Sequence, residues 1–262
     1  MYGMPTSIEV NMAEMYRSLF YDFKEFDSYD DMEVSYKDCA GCDLCERPPS
    51  THPILSRIGG LDTPSSILES NQAPVLVIGE SPSIQDLKNG IPMSDNDGLM
   101  LRMRLQHNSK GERVGINSDH TMFTYLIGCP IQLEYNYKRI ITDDQFNNCR
   151  SRIETIISIC NPTIVILVGV QVMVRLLGSR KPEAMAHPLQ YLGEQLYRGI
   201  TTYTMPRIDY LYRMDQASYP KGEIGKQRDI IDINFDKLVL PAYKYRVCKE
   251  RGGKRQTYWG TR

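Results

Sequence analysis

The cysteines constrain the fold of this chain more than any other feature of its sequence. Residues 39–45 read CAGCDLC, and Cys129 and Cys149 follow far downstream. The two thiolates of a CxxC pair can reach one metal centre from a single turn, and two more would complete a tetrahedral sulfur site suited to zinc or an iron–sulfur cluster. The second pair is not a nearby CxxC, as it is in zinc ribbons. Four such ligands would tie an N-terminal segment to the middle of a folded domain.

Each cysteine also has a simpler interpretation, that of a small buried hydrophobic residue. We favour that interpretation for Cys160 and Cys248, and metal ligation for Cys39 and Cys42. The chain has seven cysteines, an odd number. Together with the expected absence of a secretion signal, this fits metal ligation in a reducing compartment better than disulfides.

Length and charge limit the classes of protein that the chain can belong to. Its 262 residues suffice for one large α/β domain with extensions. The net charge of -1 argues against a strongly basic nucleic-acid binder but allows a local basic groove. The N-terminus has no basic start followed by an apolar run, and no apolar stretch reaches the roughly 18 residues of a membrane span. We therefore expect a cytoplasmic protein with no signal peptide and no membrane association.

Short apolar runs alternate with helical patterns across the middle of the chain. The apolar runs predict buried strands at residues 75–78, 123–127, 163–169 and 201–205. Helical spacing and caps predict helices at residues 98–105, 143–160, 172–177 and 230–238. This alternation predicts an α/β fold with three layers, in which a central, mostly parallel sheet lies between helices. An amphipathic helix is also predicted at residues 8–24, ahead of an acidic linker.

The first predicted strand runs into the sequence GESPS at residues 79–83. Ligands of open α/β sheets bind at the carboxyl ends of the strands, so this loop is a candidate site. One hypothesis is an unrelated α/β enzyme that binds phosphate there. The glycine pattern argues against it, since it matches neither GxGxxG nor a P-loop.

The C-terminal residues 239–262 differ from the rest of the chain, because lysines and arginines alternate there with tyrosines and Trp259. Basic and aromatic residues together are typical of nucleic-acid binding, through phosphate neutralisation and base stacking. The alternative is a solvated tail. The candidate DNA-binding residues are Arg213, Lys249, Arg251, Lys254 and Arg255.

Several motifs share the order and spacing of a known family. The CxxC precedes a hydrophobic residue by two places, the GESPS loop is followed by Gln85-Asp86, and GIPM occupies residues 90–93. A strand leads into Cys129, Cys149 opens a helix ending in Asn-Pro, and RIDYLYR closes the series at residues 207–213. Over roughly residues 37–238 the chain resembles the iron–sulfur uracil-DNA glycosylases, family four of the uracil-DNA glycosylase superfamily.

The resemblance implies a three-layer α/β/α fold, DNA as a partner and a [4Fe–4S] cluster, with zinc the less favoured metal. The implied ligands are Cys39, Cys42, Cys129 and Cys149, and Cys45 is the alternative to Cys39. The implied catalytic residues are Glu80, Asp86 and Arg207. The implied base pocket comprises Gly79, Ser81, Pro82, Gln85, Met93 and Tyr125.

The chain departs from the family at the positions that carry the chemistry. The uracil-reading Asn falls on Tyr125, the stacking Phe on Met93, the His that assists departure of the base on Arg207, and a motif Gly on Ser83. An Asn amide both donates and accepts, and a Tyr hydroxyl cannot match that pair of contacts. Arg207 is an always-charged donor that could stabilise an anionic base or grip a phosphate. Glu80 remains a candidate for steadying a sugar cation or positioning water, as does Asp86; the alternative for both is loop solvation or helix capping.

Two functions of different classes follow. One is a DNA glycosylase with altered base choice. The other is a non-catalytic DNA-binding or scaffold subunit of a replication or repair assembly, with a protein partner on the N-terminal helix. We expect a DNA-binding member of the superfamily and leave its catalytic activity open. The predicted domains are an N-terminal helix and linker at residues 1–36, an iron–sulfur α/β domain at 37–238 and a basic, aromatic tail at 239–262.

Overall fold

The computed structural model of the chain describes residues 73–108, 110–113, 115–131, 140–178, 194–205, 207 and 235–248. The predicted N-terminal helix at residues 8–24, the CAGCDLC segment and the tail beyond residue 248 lie outside these residues. So does Arg213. The fold below is that of the described part of the chain.

Five strands form one sheet. Their bounds are β1 Val75–Gly79, β2 Thr121–Tyr125, β3 Ile164–Val168, β4 Glu194–Tyr197 and β5 Ile200–Met205. The strand order is β2-β1-β3-β5-β4, and β2, β1, β3 and β5 run parallel. β4 is antiparallel to β5 and forms the edge. The sequence predicted the four parallel strands, whose buried side chains give continuous apolar runs, but not the hairpin strand β4.

Helices connect the strands. Their bounds are α1 Ile84–Asn89, α2 Asn96–Gln106, α3 Asp143–Cys160 and α4 Val170–Leu177. Ser83 and Thr142 are the N-caps of α1 and α3 and form capping boxes. In each, the N-cap side chain accepts from the main-chain N–H of the third helical residue, and the side chain of that residue accepts from the N-cap N–H. Gly178 ends α4 in the left-handed conformation.

The side chains of the sheet alternate between two apolar layers, one on each face. Leu76 and Ile78 of β1 pack in the layer that contains Ile153 and Ile156 of α3. Their neighbours Val75 and Val77 pack in the opposite layer, together with residues of α2 and of the segment at 235–248. These residues are Leu101, Leu105, Phe235, Val239, Leu240, Tyr243 and Val247. The predicted three-layer α/β/α architecture is confirmed.

A helical segment, α5, extends farther than the sequence indicated. It consists of the π-helical stretch Phe235–Val239, the short α-helix Leu240–Ala242 and the π-helical stretch Tyr243–Cys248. Tyr243 and Val247 are buried in the core, and the Tyr243 hydroxyl contacts the His120 ring at 2.9 Å. The packed core thus continues through α5, past the domain boundary that the sequence predicted after residue 238. No helix in the described ranges is long and apolar enough to cross a membrane.

Candidate functional site

A cleft of about 480 Å³, partly open to solvent, lies where the parallel strands end. β1, β2 and β3 each supply their last residue to its wall, and Arg207 enters just beyond β5. The lining residues are Gly79, Glu80, Ser81, Asp86, Met93, Asp95, Asp97, Gly98, Leu101, Tyr125, Val168 and Arg207. Parallel strands place all these loops at one edge of the sheet, which is where ligands of such folds bind.

Glu80 and Arg207 form an ion pair across this edge. Glu80 is only 8% exposed, and its Oε2 accepts from the Arg207 guanidinium at 3.1 Å. Its Oε1 accepts from the main-chain N–H of Gln171, in the first turn of α4, at 3.3 Å. The carboxylate therefore lies between a guanidinium and the positive end of a helix, two partners that favour its charged form.

Gly169 leaves the room that Glu80 occupies. Its φ of 105° lies in the region that favours glycine, and a Cβ there would lie 2.5 Å from Glu80 Oε1. Gly169 also donates its N–H to the carbonyl of Met205, which links the end of β3 to the end of β5. A side chain at this position would displace the Glu80 carboxylate.

Asp86 organises the loops around the cleft. Its side chain is 1% exposed, and Oδ2 accepts from the Ser83 N–H and hydroxyl, each at 2.8 Å. Oδ1 accepts from the N–H of Ser94 at 2.6 Å, from its hydroxyl at 3.1 Å and from the N–H of Asp95 at 3.0 Å. Tyr125 adds a sixth donor at 2.7 Å. Both oxygens are thus used to hold the two loops on either side of α1.

The Tyr125 hydroxyl is held at both of its hydrogen-bonding positions. It donates to Asp86 Oδ2 and accepts from the main-chain N–H of Met93 at 2.6 Å. Tyr125 is 7% exposed and its ring packs beside Gly79, its partner in the β1–β2 register. A ligand that entered the cleft would meet this ring.

These contacts move two pKa values in opposite directions. Burial raises the pKa of Asp86, but the hydrogen bonds from Ser83, Tyr125 and Ser94 outweigh burial and leave it below its ordinary value. Burial raises the pKa of Tyr125 well above its ordinary value, and the neighbouring Asp86 carboxylate raises it further. At neutral pH the pair is therefore a carboxylate that accepts from a neutral phenol.

Met93 is held in an uncommon backbone conformation, with a φ of 54°. Arg102 donates from Nε to the Met93 carbonyl at 3.0 Å and from a guanidinium nitrogen to the carbonyl of Pro92. Gly98 makes the close approach possible, since a Cβ there would lie 2.3 Å from the Met93 carbonyl carbon. The contacts of the Met93 carbonyl with Arg102 and of its backbone with Gly98 thus fix the direction of the Met93 N–H toward the Tyr125 hydroxyl.

The structure brings most of the predicted site residues together. Those that line the cleft are Gly79, Glu80, Ser81, Asp86, Met93, Tyr125 and Arg207. Pro82 and Gln85, predicted for the base pocket, are not among the lining residues. The Gln85 side chain is exposed and donates to Asn89 on the outer side of α1 at 2.8 Å.

Two of the four predicted cluster ligands are described, and both are buried. Cys129 follows β2, Cys149 lies in α3, and their side chains belong to the same apolar layer. Buried thiols that share a layer are chemically suited to a soft metal centre. In the described ranges no three His, Cys, Asp or Glu residues form a metal-binding group, but Cys39 and Cys42 lie outside those ranges. Cys160 is fully buried beside Met122, as expected for a small hydrophobic residue.

Sequence reasoning missed several residues that shape the cleft. Arg152 is buried in α3, one turn after Cys149, and donates to the Tyr125 carbonyl and to Thr124 Oγ1 at 3.3 Å. An arginine on the apolar face of a helix was a signal for such a role. Gly169 was also detectable, because it is the last residue of a predicted strand, at the ligand-binding edge of the sheet.

The comparison with protein families agrees with this geometry. The family model described as Uracil DNA glycosylase superfamily matches residues 67–228. This range covers more than half of the chain, and the protein therefore belongs to the uracil DNA glycosylase superfamily. No curated protein sequence matches the chain.

Proposed function

We propose that the protein is a DNA-binding iron–sulfur member of the superfamily, of the family-four type, that cleaves the N-glycosidic bond of a base other than plain uracil. The observation that carries the proposal is the ion pair between buried Glu80 and partly exposed Arg207, in a cleft where Tyr125 occupies the position that the resemblance gives to the uracil-reading Asn. In this proposal Glu80 and Arg207 supply the charges for catalysis, and Tyr125 changes which base is recognised.

The ion pair has the charges that this reaction needs. Cleavage of an N-glycosidic bond leaves a cationic sugar and an anionic base, and the enzyme must stabilise both in the transition state. Glu80 would steady the sugar cation or position the attacking water. Arg207 would stabilise the departing base, because a guanidinium donates hydrogen bonds and stays charged.

We expect this cleft not to recognise plain uracil. The Tyr125 hydroxyl is committed to Asp86 and to the Met93 N–H, so it has no proton left to donate to a uracil carbonyl. The Met93 Cε lies 2.7 Å from where a Gly79 Cβ would be, which places the side chain against the wall of the cleft. The base that is recognised must make other contacts.

The cluster is proposed on Cys39, Cys42, Cys129 and Cys149, with Cys45 as the alternative to Cys39. Cys129 and Cys149 fit such a centre, since both are buried thiols on one face of the sheet. When bound, a cluster would supply a covalent tie between the N-terminal segment and the domain. Ligation by free thiolates suits a reducing compartment, and we propose a cytoplasmic location on that basis.

The position of Tyr125 in the cleft also favours a second function. Tyr125 fills the place of a base, so the protein could bind DNA without cleaving it and serve as a scaffold in a replication or repair assembly. A protein partner would then dock on the helix predicted at residues 8–24. The two functions make different predictions for Glu80, because only cleavage needs its carboxylate.

A panel of oligonucleotides separates the two functions. Purified protein is incubated in excess over duplexes and single strands that carry uracil, modified pyrimidines, deaminated purines or mismatches, and base release is measured. We expect no release of plain uracil and release of at least one other base that Glu80→Gln lowers about 100-fold or more. Glu112→Gln, an exposed glutamate in the loop after α2, is the matched control and should leave the rate unchanged.

Two results would contradict the proposal. Uracil release that Glu80→Gln abolishes would show that Tyr125 does not exclude uracil. DNA binding without release of any base would replace the catalytic function by the scaffold function.

A further inference from the structure

The Tyr125 hydroxyl satisfies one donor and one acceptor that belong to the walls of the cleft. The donor is the Met93 N–H at 2.6 Å and the acceptor is Asp86 Oδ2 at 2.7 Å. A phenol oxygen bridges the two because it can accept and donate at once. An aromatic ring with a hydroxyl or a lactam edge offers the same combination to a protein.

The donor and the acceptor are held without help from Tyr125. Arg102 fixes the Met93 carbonyl, so that the N–H of this left-handed residue has a set direction. Ser83 and Ser94 hold the two oxygens of Asp86. Removal of the tyrosine side chain would therefore expose a preformed polar pair instead of letting the loops collapse.

The ring of Tyr125 also has a fitted place. Gly79 lies beside it, and a Cβ on that glycine would be 3.1 Å from Tyr125 Cδ1 and 3.2 Å from Cε1. Met93 covers another side of the same glycine. The ring belongs to an apolar layer and its hydroxyl meets polar groups, which is the pattern of a site for an aromatic ligand.

We propose that Tyr125 is a built-in occupant of a ring-binding subsite and sets the specificity of the cleft. The chemical class that the subsite takes is a six-membered aromatic ring with a donor and acceptor on one edge, and in the natural chain the phenol of Tyr125 fills it. The base of any DNA substrate then binds in the remaining, outer part of the cleft. This last consequence rests on the proposed function, whereas occupancy of the subsite does not.

A cavity variant tests the subsite directly. Tyr125→Ala is titrated with phenol and with toluene, which has nearly the same shape but no hydroxyl, and binding is followed by calorimetry and by the shift in Tm. Phenol should bind about 10-fold more tightly than toluene, since only phenol can bridge Met93 and Asp86. Phenol at ten times its Kd should raise Tm by roughly 3–6 °C.

Met122→Ala is the matched control. Met122 lies on the same strand, is also buried and faces the opposite apolar layer. Its cavity lacks the Met93–Asp86 pair, so phenol should bind there no better than toluene. The unmodified protein and Tyr125→Phe keep the ring in place and should bind neither compound.

Equal binding of phenol and toluene to Tyr125→Ala would overturn the proposal, as would binding of neither. If Tyr125→Ala does not fold, Tyr125→Val keeps a strand-forming residue and is titrated instead, with the same two outcomes. The experiment contains no DNA and no cleavage step. The subsite can therefore be refuted while the proposed function stands, and the oligonucleotide panel can fail while phenol still binds.

Discussion

At the scale of single residues, Asp86 shows how a carboxylate predicted for chemistry can be needed for structure. Six donors surround its two oxygens, and these donors come from both ends of α1 and from β2. A carboxylate so fully engaged cannot easily turn to a substrate. We therefore assign Asp86 to positioning of the cleft, and leave Glu80 and Arg207 as the groups that could touch a reacting base.

The depressed pKa of Asp86 predicts an acid-sensitive contribution to stability. Because the folded pKa lies below the ordinary value of about 3.9, the contribution is complete above that pH and is lost as the pH falls through the folded pKa. Asp86→Asn should lower the free energy of unfolding by about 2–4 kcal/mol at pH 7. Urea denaturation should show this difference shrinking below about pH 4.

The exposed Asp119 provides the control for the Asp86 experiment. Asp119→Asn removes the same charge and should change the free energy of unfolding by less than about 0.5 kcal/mol. A difference between the natural chain and Asp86→Asn that stayed constant down to pH 2.5 would show that the Asp86 charge is not what the six donors stabilise.

The Tyr125 hydroxyl predicts a stability loss of its own. Tyr125→Phe keeps the ring but leaves the Met93 N–H and one Asp86 oxygen short of a partner in a buried setting. The free energy of unfolding should fall by about 1–3 kcal/mol. Tyr245→Phe, at a tyrosine that is 63% exposed, should be nearly silent in the same denaturation assay. Equal effects of the two substitutions would mean that the buried hydrogen bonds contribute nothing net.

At the scale of elements, the glycines that end β3 and α4 form a natural comparison. Gly169 and Gly178 both have positive φ, but only at Gly169 would a Cβ collide with another group, the Glu80 carboxylate. Gly178→Ala should cost about 1 kcal/mol, the ordinary penalty for a left-handed alanine. Gly169→Ala should cost about 1–3 kcal/mol more, because it adds overpacking against Glu80. Thermal or urea denaturation of the two variants measures the difference, and equal losses would contradict the close packing.

The elements also show what the sequence could and could not predict. The four parallel strands were predictable, because strands buried on both faces have uninterrupted apolar runs. Glu80 and Arg207 follow two of these predicted strands. Since parallel strands end at the same edge of the sheet, the sequence was enough to expect the two residues at that edge. The bond from Tyr125 to Asp86 was not predictable, since it joins residues 39 positions apart through packing that no local pattern encodes.

The part of α5 beyond residue 238 was missed for a different reason. Its exposed positions, such as Lys244 and Tyr245, have the same basic and aromatic composition as the tail that follows. Its buried positions Val239, Tyr243 and Val247 recur every four residues, which is a helical spacing. Composition concealed a periodicity that was present in the sequence.

At the scale of the whole molecule, the proposed cluster would join segments far apart in the chain. Protein purified without oxygen should contain iron and acid-labile sulfide in proportions of a [4Fe–4S] cluster. Cys149→Ala should lose both, whereas Cys160→Ala should retain them, because Cys160 packs against Met122 outside the proposed ligand set. Comparison of iron content in Cys39→Ala and Cys45→Ala decides between these two ligands. Stoichiometric zinc with neither iron nor sulfide would contradict the cluster.

The proposed DNA binding would also be a property of the whole molecule, because a chain with a net charge of -1 can bind phosphates only through local groups of positive charge. The proposed DNA-binding surface combines the positive charge of Arg207 at the cleft with the positive charges of the tail beyond α5. Since α5 packs on the core, the truncation that tests the tail should remove residues 249–262 and leave the helix intact. The truncated protein should bind DNA more weakly, and its affinity should depend less steeply on salt.

The size of the salt effect follows from counterion release. Each lost phosphate contact should reduce the slope of log K against log salt concentration by about 0.7 to 0.9. Full-length protein in which Lys249, Arg251, Lys254 and Arg255 are changed to glutamine should match the truncation. Lys110→Gln is the control: this exposed lysine follows the end of α2 that points away from the cleft, so neither affinity nor slope should change.

If the truncated and full-length proteins bound equally at every salt concentration, the tail would have no part in the interface. Arg207 and the strand-end loops would then have to account for all of the binding.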